Sequence, residues 1–321
     1  MATKKSLISI LCAVRNDGRF IRETMETVVA QSYPHWELIV MDGASTDETP
    51  EIVKEYAARH KNIIFRSEPD EGQWHALDKA LSLARGEYIL LLCGQDGYLH
   101  RDWFKHCVQA LKSHPAVSLV WGIPFNMSED GKLLGPHYAY ASFLKDEQYN
   151  SGTKPVSTLI AKIDWRRASA LKRLGHLFGK LTWPRLRVLL SSFRKQEIPQ
   201  KEDWFFYWLR TGRVFPESNM CVRKNVYAKL TTRFPKEKMT NAALLDFCFD
   251  FNAKGFLAYG LPLAGSFGRS HAAGQALREY DDVLTAGYYR KVADFKEKTK
   301  GQKVRFIDAL GKVVSERVIP A

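Results

Sequence analysis

Long apolar runs are missing from the chain of 321 residues. The N-terminal apolar stretch follows two lysines and stops at Arg15, with no small-residue cleavage site behind it. No other stretch approaches the ~20 apolar residues that a membrane-spanning helix needs. The sequence therefore predicts neither a secretory leader nor a transmembrane helix, although 45% hydrophobic residues suffice to bury a sizeable core.

Paired cysteines are missing as well. The five cysteines are odd in number, widely spaced and set mostly among apolar neighbours, and no C-x-x-C or C-x-x-H pair occurs. This pattern excludes a disulfide framework and a thiolate zinc site. It favours small core residues in a protein of the reducing cytoplasm.

Acidic residues are scarce relative to basic ones, since 35 Asp and Glu face 48 Lys and Arg and leave a net charge of +13. The imbalance is concentrated between Lys162 and Lys195, where ten basic residues accompany one acid, Asp164. Apolar residues recur at helical spacing on both sides of Pro184, which predicts a basic amphipathic helical hairpin. Such a hairpin is typical of proteins that bind an anionic membrane surface. The alternative is that its apolar face packs on its own domain or on a second copy of the chain.

Strand-like and helix-like segments alternate up to about residue 115. The apolar runs ISILCAV, ELIVMD, IIFRS and EYILLLC are separated by segments whose apolar residues recur at helical spacing. This alternation predicts an α/β fold with a doubly wound, mostly parallel, Rossmann-like sheet. Ligands of such sheets bind beyond the carboxyl ends of the strands. Four polar stretches lie there: Ala13 to Asp17, Asp42 to Asp47, Glu68 to Gly72, and Gly94 to Gly97.

The first hundred residues resemble the family 2 glycosyltransferases, which are nucleotide-sugar-dependent enzymes with a GT-A type fold. The resemblance rests on the opening strand and helix with the turn DGASTDET, on the segment SEPDEGQWHALDKAL, and on GEYILLLCGQD, which stands where the family carries its metal-binding acidic motif. It covers about 1–110 well and 215–270 loosely. The sequence as a whole predicts four parts: a nucleotide-sugar-binding half at 1–140, the inserted basic helical segment at 141–212, which resembles no part of the family, an acceptor or catalytic half at 213–275, and a C-terminal helical tail at 276–321.

A nucleoside diphosphate-sugar needs polar partners for its base, its ribose and its diphosphate. Asp42 and Asp70 can accept hydrogen bonds from a base or from ribose hydroxyls, and Arg15 can stack on the base or pair with the diphosphate. The diphosphate also needs Mg²⁺ or Mn²⁺, which commonly takes only one or two protein carboxylates, so Asp96 alone can serve. The predicted donor site comprises Ala13, Arg15, Asp42, Asp70, Gly72, Gln95 and Asp96, with Asp96 as the metal ligand.

The acidic motif departs from the commoner pattern of the family. Cys93 and Gln95 occupy positions where acids are frequent, which predicts weaker metal binding rather than none, because Gln95 still offers a neutral oxygen. The alternative is that Asp96 is a turn residue without a ligand.

Transfer also needs a general base that accepts the proton of the acceptor hydroxyl. The resemblance places this role on Asp246 in the helix-like segment NAALLDFCFDFNAKG, where Asp250 follows one turn later and is the alternative. The loop FPESNMCVRK resembles the acceptor side of the family and places Glu217 and Ser218 near the sugar.

These features together predict an inverting, metal-dependent hexosyltransferase of bacterial surface polysaccharide synthesis. It would move a sugar, from a UDP-sugar by preference, to a hydroxyl of a glycan or lipid-linked acceptor at the cytoplasmic face of the membrane. Inversion is implied by the resemblance alone. Two alternatives remain: a non-catalytic relative that binds or scaffolds, and a basic nucleic-acid-binding protein. No nucleic-acid-binding module is recognisable, so nucleic acid is not an expected partner, whereas a homo-oligomer is possible.

Overall fold

The computed structural model describes residues 6–137, 140, 143, 197–231, 242–269 and 282–321. The predicted basic hairpin at 162–195 lies outside the described residues, so its helices and its membrane role stay predictions. Within the described ranges, no helix is both long and apolar enough to span a bilayer.

The first half of the chain alternates strands and helices, as the sequence predicts. The strands β1, β2 and β4 are apolar runs that are buried on both faces, whereas β3 at the sheet edge is only partly buried, and the helices turn their apolar stripes onto the sheet. The elements are β1 (Ile8–Val14), α1 (Gly18–Val29), β2 (Trp36–Asp42), α2 (Thr49–Arg59), β3 (Ile63–Ser67), α3 (Gln73–Leu83), β4 (Tyr88–Cys93), β5 (Gly97–Tyr98), α4 (Trp103–Ser113), β6 (Val117–Met127) and β7 (Leu133–Pro136).

The second half completes the same sheet and adds helices on its faces. Its elements are α5 (Glu202–Thr211), a 3₁₀ turn (Glu217–Asn219), β8 (Met220–Arg223), α6 (Lys224–Thr231), α7 (Ala242–Ala253), β9 (Leu257–Arg269), α8 (Asp282–Thr299), β10 (Lys303–Ile307) and β11 (Val313–Val318). The strands run in the order β3-β2-β1-β4-β8-β6-β9-β5, with β7 beside β6.

The sheet is parallel from β3 to β4, and β6 and β9 are also parallel to each other. β8 lies between β4 and β6 and is antiparallel to both, and the β6–β7 pair is also antiparallel. The mixed α/β architecture with a large, mostly parallel sheet confirms the predicted fold class.

Successive residues of the strands enter the two cores on opposite faces of the sheet. Ile10 and Cys12 of β1 pack on one side with α1 and α4, whereas Leu11 and Ala13 pack on the other side with α3 and α7. All five cysteines are free, and four of them are buried, which agrees with their predicted role as small core residues.

Two of the predicted boundaries need correction. The described end of the predicted insertion, 197–212, belongs to the domain itself, because Lys201 bridges to Ala258 and the indoles of Trp204 and Trp208 in α5 are fully buried. A tail predicted as helical is helical only in α8, and it continues as the antiparallel pair β10–β11. The pair forms because Val304 and Phe306 alternate with charged residues, and Phe306 inserts into the core.

Candidate functional site

The carboxyl ends of four parallel strands meet at one edge of the sheet. Val14 of β1 stands opposite Asp42 of β2, and Asp42 stands opposite Ser67 of β3. Ala13, which is almost fully buried, stands opposite Cys93 of β4. The loops that follow these strands therefore lie side by side, as predicted for a ligand site at this edge.

Asp42 shapes this edge from inside the protein. Its carboxylate is only 1% exposed. It accepts hydrogen bonds from the backbone N–H of Ser45 at 3.1 Å, from the hydroxyl of Ser67 at 2.6 Å and from the hydroxyl of Ser45. These bonds make Asp42 an anchor of the loop between β2 and α2. Its predicted contact with a base or ribose stays a prediction.

Asp70 lies in the loop after β3, at the neighbouring part of the same sheet edge. Its Oδ1 accepts the backbone N–H of Gly72 at 2.8 Å, and a Cβ placed on Gly43 would lie 2.7 Å from its Oδ2. Gly43 therefore lets the β2 and β3 loops touch. Gly72 has a φ of 119°, a conformation that favours glycine, and it begins α3.

Asp17 is the first carboxylate of a cluster around the end of β4. It occupies the N-cap position of α1, but its carboxylate points away from the helix backbone and its Oδ2 accepts the backbone N–H of Arg15 at 3.1 Å. A Cβ on Gly94 would lie only 2.3 Å from that Oδ2, so the carboxylate rests directly on the backbone of the CGQD stretch. The hydroxyl of Thr24 lies 2.9 Å from the carbonyl of Gly94 and 2.6 Å from that of Asp96, which fixes this stretch to α1.

Asp96 and Glu217 complete the cluster from opposite ends of the sequence. Ser218 donates its hydroxyl to Oδ2 of Asp96, and the backbone N–H of Arg269 lies 3.4 Å from Oδ1. Glu217 accepts a hydrogen bond from the side-chain amide of Gln73 at 2.5 Å. The structure thus brings together the predicted metal ligand Asp96 and the predicted acceptor residues Glu217 and Ser218.

The three carboxyl groups share an environment that disfavours their ionised forms. Burial raises the pKa of Asp17 to about 7, and the charge of Asp96 adds to this effect. Burial also raises the pKa of Asp96 to about 6, against the opposing hydrogen bond from Ser218. For Glu217, burial followed by repulsion from Asp96 raises the pKa to about 8. The cluster would ionise more readily if a cation were bound to it.

The chemistry of this cluster fits a hard divalent cation. Its donor atoms are carboxylate oxygens, and none of the ion pairs among the described residues involves Asp17, Asp96 or Glu217. The guanidinium of Arg269 bonds instead to Glu23 and to the carbonyl of Ser128. One or two carboxylates in an open arrangement are what Mg²⁺ uses when phosphate oxygens complete its shell.

The remaining predicted residues take other places. Arg15 is exposed and Gln95 is partly buried at the rim of the cluster. Asp246 lies on α7 with its carboxylate 2.8 Å from Nζ of Lys291 on α8, and Asp250 pairs with Lys254 at 3.1 Å. Both therefore have a cationic partner, and the catalytic role of Asp246 stays a prediction.

Sequence reasoning did not assign two residues of the cluster. The sequence places Asp17 in a polar stretch after β1 without indicating a role, and it places Gln73 only within the segment SEPDEGQWHALDKAL. The available signal was Gly94, because a glycine inside the acidic motif leaves room for a side chain from another loop. Gln73 could not be identified in this way, because its partner Glu217 is 144 positions away.

Solved structures of other proteins share this architecture. Among solved structures, Staphylococcus aureus TarS, crystallised as residues 1–349 in complex with UDP-GlcNAc, shares 15% identity at a TM-score of 0.55 over 90% of this chain and 66% of that one. A mannosyltransferase from Pyrobaculum calidifontis, in complex with GDP-Man and Mn²⁺, shares 16% identity at a TM-score of 0.51 over 92% of this chain and 76% of that one. These similarities confirm the GT-A type fold.

Sequence similarity identifies the family. Poly-beta-1,6-N-acetyl-D-glucosamine synthase of Staphylococcus epidermidis is 27% identical over 174 residues, which cover 53% of this chain and 41% of that protein. The chain thus matches well under two thirds of that relative's length. The sequence model of "Glycosyl transferase family 2" matches residues 9–175. This match spans more than half of the chain, and the protein therefore belongs to the family 2 glycosyltransferases.

Proposed function

We propose that the protein is an inverting, metal-dependent hexosyltransferase that moves a sugar from a nucleoside diphosphate donor to a hydroxyl of a glycan or lipid-linked acceptor in surface polysaccharide synthesis. The observation that carries this proposal is the cluster of Asp17, Asp96 and Glu217 at the carboxyl edge of the sheet. Relatives that bind UDP-GlcNAc or GDP-Man share the fold. Between these donors we favour a UDP-sugar.

Asp96 and Asp17 would hold the donor's Mg²⁺ or Mn²⁺, with Gln95 as a neutral ligand at the rim. When bound, the cation would neutralise charge on the diphosphate leaving group. Gly94 supports this assignment because its lack of a side chain lets the Asp17 carboxylate lie against the CGQD stretch. In this stretch Cys93 and Gln95 stand at positions where acids are frequent in the family. Asp17 thus supplies a second carboxylate that the motif itself lacks.

The base and ribose of the donor would bind along the neighbouring loops. Oδ2 of Asp70, which lies beside Gly43, could accept a hydrogen bond from the donor, and Gly72 has no side chain that would block access to the start of α3. Arg15 projects from the exposed loop after β1, where its guanidinium can stack on the base or pair with the diphosphate. Ala13 and Asp42 are both buried between these loops and would form the bottom of the donor site.

Three carboxylates are candidates for the role of general base: Asp246, its alternative Asp250, and Glu217. The resemblance assigns Asp246, whose carboxylate is paired with Lys291. Glu217 is the rival, because it lies in the cluster beside Ser218 and burial raises its pKa to about 8, close to the pH at which a base must exchange a proton. The variants Asp246→Asn, Asp250→Asn and Glu217→Gln, assayed side by side, decide the role: the base is the residue whose loss lowers kcat by about 100-fold or more.

A binding experiment tests the donor site before any acceptor is known. Purified protein is titrated with a panel of nucleotide sugars in Mn²⁺ and again in EDTA, together with Asp96→Asn. We expect one donor to bind, with affinity that needs both Mn²⁺ and Asp96. Donor hydrolysis then separates an enzyme from a non-catalytic relative, since a scaffold binds without turnover. Equal binding by wild type and Asp96→Asn in Mn²⁺ and in EDTA would refute the metal-dependent donor site.

The place of action is the cytoplasmic face of the membrane, reached through the basic segment 162–195. The support is the charge of this segment, ten basic residues with one acid, interleaved with leucines. Co-sedimentation with anionic vesicles at low salt is the test. Absence of binding would leave the alternative that the segment packs on protein, either within the chain or in a homo-oligomer.

A further inference from the structure

Two histidines and an aspartate converge at the start of α4, outside the donor site. His100, Asp102 and His106 each present one possible ligand atom, and these atoms all lie within 4.8 Å of one another. The two imidazole rings stand edge to face with their centroids 5.1 Å apart. Among the described residues, this is the only group of three His, Cys, Asp or Glu side chains that meets this distance.

The backbone that carries these side chains is held firmly. Gln31, just after α1, donates its side-chain amide to the carbonyl of His100 at 3.1 Å and accepts the backbone N–H of Phe104 at 3.2 Å. The backbone N–H of His106 donates to the carbonyl of Asp102 at 2.9 Å, so these two residues share the first turn of the helix. Because the side chains of Trp103 and Phe104 are fully buried, this turn has little freedom to move.

The types of the three side chains suit a borderline divalent ion. The carboxylate of Asp102 also accepts the hydroxyl of Ser32, which orients it. Neutral imidazoles and a carboxylate are the ligands of Zn²⁺ and its neighbours rather than of Mg²⁺.

Metal binding would require only small side-chain movements. Ligand atoms around a tetrahedral ion are about 3.4 Å apart, so the three atoms need to approach by rotation of the two half-buried imidazole rings. Nδ1 of His100 accepts the backbone N–H of Asp102 at 3.1 Å. This bond must be released, and the freed N–H lies in a partly exposed first helical turn where water can replace it.

The length of the helix α1 separates this group from Asp17 of the donor site. Asp17 stands before its first residue, whereas Gln31 and Ser32, which contact the histidine group, follow its last. Its 12 residues span about 18 Å at the rise of an α-helix. One ion therefore cannot bind both Asp17 and the histidine group.

We propose that His100, Asp102 and His106 form a second metal site, which binds a Zn²⁺-class divalent ion with water as the fourth ligand and holds the loop before α4 to the first turn of that helix. The site is independent of the proposed transfer reaction. Its ion is expected to stabilise the fold and to leave the donor's Mg²⁺ or Mn²⁺ requirement unchanged.

The test uses the full chain, stripped with EDTA and titrated with Zn²⁺ by calorimetry and with Co²⁺ by visible absorption. We expect one tight equivalent with tetrahedral Co²⁺ bands and a rise in Tm on addition of Zn²⁺. In His106→Gln and in Asp102→Asn the affinity should fall at least about tenfold. In Asp96→Asn and in the matched control His60→Gln it should not change.

Circular dichroism of each variant confirms that it is folded, and His100→Gln provides a third ligand variant if one of the others is not. Three outcomes overturn the proposal: no Co²⁺ bands in the wild type, unchanged Zn²⁺ affinity in the ligand variants, or a loss of affinity in Asp96→Asn equal to that in His106→Gln. The last result would mean that Zn²⁺ binds at the donor site.

Discussion

Glu217 makes the stability of the metal-free protein depend on pH in an unusual direction. Because its pKa rises from 4.5 in the unfolded chain to about 8 in the folded state, the folded protein holds a proton that the unfolded chain releases between these values. Stability contributed by this group is therefore full below about pH 4.5 and is lost as pH rises toward 8. An ordinary paired carboxylate has the opposite effect.

The magnitude follows from linkage. One proton changes the free energy of unfolding by about 1.4 kcal/mol per pH unit, so this group costs roughly 2 to 3 kcal/mol between about pH 5 and about pH 7. This value is a ceiling, because Glu217 is partly exposed. Glu217→Gln removes the ionisation and keeps an oxygen that can accept the amide of Gln73.

The assay is urea unfolding in EDTA at pH 5, 6 and 7, followed by circular dichroism. We expect Glu217→Gln to be more stable than the wild type at pH 7, by up to roughly 3 kcal/mol relative to their difference at pH 5. The exposed Glu297 provides the matched control, and Glu297→Gln should follow the wild type at every pH. Parallel pH profiles for Glu217→Gln and the wild type would refute the inference that this carboxyl is buried without a counter-charge.

Two further predictions use glycines with matched controls. Gly94→Ala places a Cβ 2.3 Å from Oδ2 of Asp17, so the Asp17 carboxylate should be displaced and the Mn²⁺ affinity, measured by calorimetry, should fall about tenfold. In the control Gly287→Ala, whose Cβ has nothing within 4 Å, the Mn²⁺ affinity should not change. Equal affinities in the two variants would show that Asp17 does not contribute to metal binding. Gly255→Ala and Gly301→Ala both strain a positive φ, but only the Cβ at Gly255 lies 2.1 Å from a backbone carbonyl of β10. In thermal unfolding, Gly301→Ala should therefore lower the free energy of unfolding by about 1 kcal/mol, and Gly255→Ala should lower it by at least about 2 kcal/mol more. Similar losses in the two variants would show that the backbone of β10 can move to accommodate the new Cβ.

The elements of the first half could be predicted because their signals are local. Each strand is a short apolar run followed by a polar stretch, and parallel pairing brings these stretches to one edge. The family resemblance assigns Asp96 to the metal and Ser218 to the acceptor side of the same site, but the hydrogen bond between these residues, which are 122 positions apart, was not predicted. Periodicity alone cannot supply such a contact.

What could not be predicted depends on packing between distant elements. Asp246 has a neighbour, Lys291, only because α8 packs beside α7. Asp17 can join the cluster only because Gly94 has no side chain in the space that the Asp17 carboxylate occupies. The β10–β11 pair was missed because the charged residues between its apolar positions extend the pattern of the preceding helix.

The position of β8 constrains how the chain can fold during synthesis. This strand, Met220–Arg223, is inserted between β4 and β6, so the strands β1 to β4 share no direct pairing with β5, β6, β7 and β9 across that gap. Until residue 223 has left the ribosome, β4 and β6 present open edges that invite pairing with other chains. A product truncated before Met220 should therefore aggregate rather than persist as a half-domain, and the long segment between β7 and α5 delays the moment at which the sheet can close.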